Sequence, residues 1–220
     1  MGNKSIDEMS DNYPQEHWAP RNCFLEPIPE MLAASELLSK AVDLVLAENF
    51  ALAAKLIEQA DIPELEKHNS KIAGSRSEEI HRYRPIEGAP EIIKCKKRMP
   101  SYKVELSIYE RDGWHCRFCE TRVISKDVRK KLNRVFPVEA RWGNKNVEKH
   151  RGLSILESSL DHLVPHNRGG DNSESNLVTA CGPCQFGRGG WTIEEVGIND
   201  PFDRLPIIDS WDGLRRLLAK

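Results

Sequence analysis

Four of the six cysteines fall into two C-x-x-C pairs, Cys116/Cys119 and Cys181/Cys184, with 61 residues between them. Thiolates bind Zn2+ at about 2.3 Å in tetrahedral sets, and each C-x-x-C turn presents two sulfurs on one side. Two such turns clamp distant pieces of chain, here the regions near residues 117 and 183. Four thiolates also leave no open position for a substrate, so the pattern assigns a structural zinc ion to Cys116, Cys119, Cys181 and Cys184. Disulfides are not expected in a chain without an export signal. Cys23 and Cys95 have no such partner and read as free thiols.

Between the pairs runs Leu160-Asp161-His162-Leu163-Val164-Pro165-His166-Asn167-Arg168-Gly169-Gly170, followed by Asn176-Leu177 just ahead of Cys181. A lone Asp-His pair is more often a surface pair or a helix end than a catalytic site. Its surroundings give this one more weight. Gly169-Gly170 supplies the positive φ angles of a tight turn, so a two-stranded hairpin leading into a helix is expected. Neighbouring residues on a regular strand face opposite sides. For Asp161 and His162 to serve one site the strand must end or distort there, and Pro165 is placed to stop regular pairing.

Taken in order, C-R-F-C (116–119), D-H-L-V-P (161–165), G-G (169–170), N-L (176–177) and C-G-P-C (181–184), with the lead-in Tyr109-Glu-Arg-Asp-Gly-Trp-His, resemble the HNH endonuclease family and its ββα-metal fold. The resemblance spans residues 105–190. It implies His162 as general base, Asp161 as a metal ligand and Asn176 as a brace for the loop that holds His162. The family's next motif position, a His or Asn directly after the last cysteine, is here Gln185. Its carbonyl oxygen suits a hard cation such as Mg2+ or Mn2+, but the extra methylene displaces it. Gln185 could ligate, act through a water, or mark a weakened enzyme; ligation is the adopted expectation. Gly187, Gly189 and Gly190 each weaken a helix by about 1 kcal/mol against alanine, so the metal-bearing helix should be one or two turns long.

The implied reaction is hydrolysis of DNA phosphodiester bonds. A neutral imidazole accepts a proton from water, the hydroxide attacks phosphorus, and a Mg2+ or Mn2+ ion held by Asp161 and Gln185 offsets the charge on phosphate and leaving oxygen. The resemblance implies 5′-phosphate and 3′-hydroxyl ends. Arg168 and Arg188 lie beside the motif and are candidates for gripping the DNA backbone, with ordinary surface arginines as the alternative. Two further readings compete: a zinc-stapled DNA-binding module that has lost cleavage, and a nuclease subunit recruited by a protein partner through its N-terminal helices.

The elements that must position these residues follow from periodicity. Residues 1–30 carry Pro14, Pro20, Pro27 and Pro29 and read as extended or poorly ordered. Over 31–72 Leu37, Leu38, Ala41, Val42 and Val45 recur at helical spacing, break at Glu48-Asn49 and resume at Ala51, predicting a helical hairpin whose apolar face serves packing or protein contact. Residues 73–103 read as a linker, 104–190 as the nuclease domain with its zinc site, and 191–220 as an extension closing with a short helix at 210–219. Val104–Tyr109 predicts a strand or a helix. KDVRKKLNRV (126–135) predicts a basic amphipathic helix with Val128, Leu132 and Val135 inward, lying against phosphates or packing with its charges solvated. The fold class is α+β: an N-terminal helical hairpin followed by a small zinc-stapled ββα-metal domain.

The net charge of -2 hides an asymmetry: residues 95–190 hold 18 Lys+Arg against 11 Asp+Glu. A basic block inside an acidic protein suits a polyanion, or is simply a solvated face. No apolar run reaches the roughly 18 residues of a membrane span, and the polar N-terminus lacks a secretory core, so a cytoplasmic chain without membrane contact is expected.

Overall fold

The computed structural model describes residues 25–73, 97–193 and 196–219. The expected extended N-terminus up to residue 24, the linker over 74–96, and Cys23 and Cys95 lie outside these residues.

Helix α1 (Pro29–Leu46) begins with a proline in its first turn, where the missing N–H costs nothing, and buries Met31, Ala34, Leu38, Ala41 and Val42 on one face. Asn49 then caps α2 (Phe50–Gln59) by accepting from Leu52 N. Ala53 and Ile57 are buried in the same cluster as Leu38 and Val42, and α3 (Pro63–Ala73) follows at once. The hairpin's apolar face is therefore occupied by its own chain. One hydrophobic cluster runs from Met31 and Leu38 through Ile57 to Leu153, Leu160 and Leu177.

His150 makes part of that join. It caps α6 (Arg151–Leu156), its Nδ1 accepting from Leu153 N at 3.0 Å, while Nε2 donates to the Ile57 carbonyl of α2 at 2.7 Å. Gly152 allows the close approach, since a Cβ there would lie 2.5 Å from the Ala60 carbonyl oxygen.

The segment over Val104–Tyr109 is helical, within α4 (Tyr102–Arg111), which Ser101 caps. Helix α5 (Lys126–Val135) turns Val128 and Leu132 inward as expected. Val135 is instead 42% exposed, because the helix ends there and Phe136 takes the inward position. Strands β1 (Ser159–His162) and β2 (Leu177–Ala180) pair antiparallel, Asp161 opposite Val178 and His162 opposite Leu177. Helix α7 (Gly182–Arg188) follows β2 directly and stops at Gly189, whose φ of 59° with ψ of -124° only glycine adopts without strain. The C-terminal segment, where a short helix is expected over 210–219, ends in a 3-10 helix over Arg215–Ala219, and Trp211 Nε1 anchors it on the Val123 carbonyl at 2.9 Å. No helix among the described residues is long and apolar enough to cross a membrane.

Candidate functional site

The sequence β1–loop–β2–α7 brings the two C-x-x-C pairs together. Cys116 and Cys119 sit on a tight turn in which Glu120 N donates to the Cys116 carbonyl at 2.8 Å and Glu120 itself takes a left-handed φ of 65°. Cys181 is the N-cap of α7 and Cys184 lies in its first turn. All four sulfurs lie within 4.8 Å of one another, and Cys119 Sγ is 3.6 Å from Cys181 Sγ. Tetrahedral ligation at about 2.3 Å requires sulfurs about 3.8 Å apart, so one ion can be shared by all four. Within the cluster Cys119 is held well below the ordinary thiol range by hydrogen bonds from Cys116, Cys181 and Cys184. Hydrogen bonds with Cys116 and Cys119 push the Cys181 and Cys184 thiols up. Buried Asp112 ties this turn to β2 by accepting from Thr179 N at 2.8 Å and from Arg111 Nε at 2.9 Å.

Strand alternation sends Asp161 and His162 to different neighbours. His162 closes β1, and its Nε2 lies 2.9 Å from Asn172 Oδ1. Asn172 Nδ2 donates to the Lys97 carbonyl at 2.8 Å, which turns the amide oxygen toward the imidazole. An amide oxygen only accepts, so Nε2 carries a proton, and in the neutral ring the lone pair is on Nδ1. Asn172 was missed in the sequence, where Asp171-Asn172 after two glycines reads as turn chemistry alone.

Asn176 spans the loop from inside. Its Oδ1 accepts from Val164 N at 2.7 Å, and its Nδ2 donates to Val164 O at 3.1 Å and Asp171 O at 2.9 Å. The loop also depends on both glycines, though differently from the expectation. Gly169 has the positive φ, 89°, whereas Gly170 is required because a Cβ would overlap the Val164 carbonyl. Arg168 ends the 3-10 turn His166–Arg168 and is half-buried beside this loop, with the His166 ring edge-on to His162 at 6.2 Å between centroids.

Arg188 departs from expectation. It does not face solvent or a phosphate: it is fully buried. Its Nε donates to Asp161 Oδ2 at 2.6 Å, Nη2 to Asp161 Oδ1 and the His162 carbonyl, and Nη1 to the carbonyls of Leu163 (3.3 Å) and Trp191. Burial raises the Asp161 carboxyl from its ordinary value while the guanidinium works against that shift. Because Arg188 stays charged and would otherwise be buried unpaired, Asp161 is best described as its carboxylate partner.

The divalent-ion site implied by the resemblance does not fit these side chains. Both Asp161 oxygens already accept from Arg188, and Gln185 turns its Nε2 to the Leu160 carbonyl at 3.2 Å. Among the described residues the four cysteines are the sole group of three or more His, Cys, Asp or Glu side chains able to share an ion.

Much of the basic block is paired internally as well. Arg129 meets Glu157 at 2.8 Å and stacks over Trp142, Lys126 meets Glu105, and Arg151 meets Asp61 and Glu66. The basic α5 thus turns part of its charge toward its own chain.

Neither a curated protein nor a solved structure matches the chain. Residues 146–185, which carry β1 with Asp161 and His162, the Asn176-braced loop, β2 and the first turn of α7 through Gln185, match the HNH endonuclease family model, and this segment of the chain is of that type.

Proposed function

We propose that the chain is an endonuclease that hydrolyses phosphodiester bonds of DNA, with His162 as its general base and a structural zinc ion on Cys116, Cys119, Cys181 and Cys184. The observation that carries this reading is the imidazole at the end of β1, held through Nε2 by Asn172, inside the segment that matches a nuclease family. Nδ1 takes a proton from water, the water oxygen bonds to phosphorus, and the P–O3′ bond breaks. The leaving 3′ oxygen takes its proton from solvent, leaving 5′-phosphate and 3′-hydroxyl ends. Asn176 contributes by fixing the loop opposite His162, and Arg168 at the loop's turn is assigned to a backbone phosphate.

The engagement of Asp161 with Arg188 favours one other reading, a zinc-stapled module that binds DNA without cutting it. Supercoiled plasmid separates the two. The nuclease reading expects nicking by the purified chain and loss of nicking in His162→Ala. DNA retention that weakens with salt, without any nicking, identifies the binding module.

A further inference from the structure

The Arg188 guanidinium has five N–H donors, and five oxygen atoms receive them: both carboxylate oxygens of Asp161 and the carbonyls of His162, Leu163 and Trp191. One carboxylate and three carbonyls, all hard oxygens, are the donor type that a divalent ion takes in its own shell. Here a planar, permanently charged side chain takes all of them, with none of its surface exposed. The positions of its partners matter too. Asp161, His162 and Leu163 are consecutive, so Arg188 holds the side chain that precedes His162 and the carbonyls of His162 and Leu163 that follow its Cα.

We propose that Arg188 is the resident cation of this site, holding the end of β1 as a bound ion would, and that no divalent ion binds at Asp161. The inference rests on reading the segment as an HNH-type site, and it makes any cleavage by His162 independent of Mg2+ or Mn2+. Arg188 lies three residues beyond the matched segment, so the match itself is silent on this substitution of side chain for metal.

The test uses the full zinc-loaded chain, Mn2+ as paramagnetic probe, and the NMR signals of the His162 ring, assigned through a His162→Gln variant. Thiolates favour zinc over Mn2+, so the probe reports on oxygen sites. In the wild type, substoichiometric Mn2+ should leave the His162 ring signals as sharp as those of the His150 ring, which is bonded to Leu153 N and the Ile57 carbonyl. Selective loss of the His162 signals would show an ion at Asp161 and overturn the proposal. In Arg188→Ala the emptied oxygen cage should accept Mn2+ and the His162 signals should disappear. A folded Arg188→Ala variant whose signals stay sharp reduces Arg188 to a packing residue and also overturns its role as a cation; if the variant does not fold, the wild-type measurement decides. Nicking assayed on the same samples reports separately on the nuclease reading, because neither spectral result depends on cleavage.

Discussion

Arg188 Nε lies 2.6 Å from Asp161 Oδ2, with the arginine side chain fully enclosed and the aspartate 8% exposed, so the last residue of α7 is locked to the penultimate residue of β1. A pair this enclosed has no solvent to take over when one member is lost. Truncation of either partner leaves a buried charge, at a cost of about 3–5 kcal/mol. Arg188→Met should therefore lower the unfolding free energy by about that amount, read from urea transitions. Adding Asp161→Leu should recover part of the loss, because a matched apolar pair leaves no uncompensated charge. Additive losses in the double variant would contradict the closed ion pair.

The tetrathiolate cluster joins the turn at Cys116–Cys119 to the start of α7, and thus fixes the helix that carries Arg188. Purified protein should contain one zinc per chain. Removal of the metal by a strong chelator should abolish the cooperative unfolding transition, since metal affinity in such sites is folding free energy. Cys184→Ser should reproduce the loss of zinc; a stable, zinc-free wild type would rule out the site.

Asn172 acts through His162, not on substrate. Asn172→Ala frees the imidazole to take either tautomer and should lower the nicking rate at saturating DNA by about tenfold or more, with little change in DNA affinity. Asn172→Asp puts a carboxylate on Nε2, which favours the protonated ring, so the acid limb of its rate profile should move to higher pH than in the wild type. Equal pH profiles would remove Asn172 from the positioning role.

His150 gives a stability signature that is independent of catalysis. Burial lowers its pKa from the ordinary histidine value, and the ring is neutral where it bridges Leu153 N and the Ile57 carbonyl. Between the lowered native value and the unfolded value near 6.5 the unfolded chain binds more protons, so stability rises with pH there. The contribution is complete above the unfolded value and falls away as pH drops toward the native one. Urea midpoints should thus decline from about pH 6.5 downward, and His150→Gln should flatten that decline. An unchanged slope in the variant would assign the acid sensitivity elsewhere.

The parts of this molecule that are legible in its sequence are those set by local rules. Cysteine spacing assigned four thiols to one site, and helical periodicity delineated α1, α2 and the inner face of α5 at Val128 and Leu132. The glycines at 187, 189 and 190 rightly implied a short helix, because glycine both weakens a helix and supplies its stop at Gly189. What local rules could not reach were the long-range partners. Arg188 reads as a phosphate-gripping or surface arginine until folding places it within reach of Asp161, 27 residues earlier. Asn172 reads as a turn residue until β1 delivers His162 to it. Asp112, a plain acidic residue after Arg111, gains its importance only when Thr179 N needs a buried acceptor. In each case the sequence carries the donor or acceptor, and tertiary packing chooses its partner.

If His162 is the base of a phosphodiesterase, plasmid relaxation by matched wild-type and His162→Ala preparations reveals it. Both proteins should hold one zinc and unfold at similar urea concentrations. Wild type should convert supercoiled to open-circular DNA, and the variant should be slower by about a hundredfold or more, the usual contribution of a positioned base. Relaxation at the same rate by both folded proteins would remove His162 from the reaction.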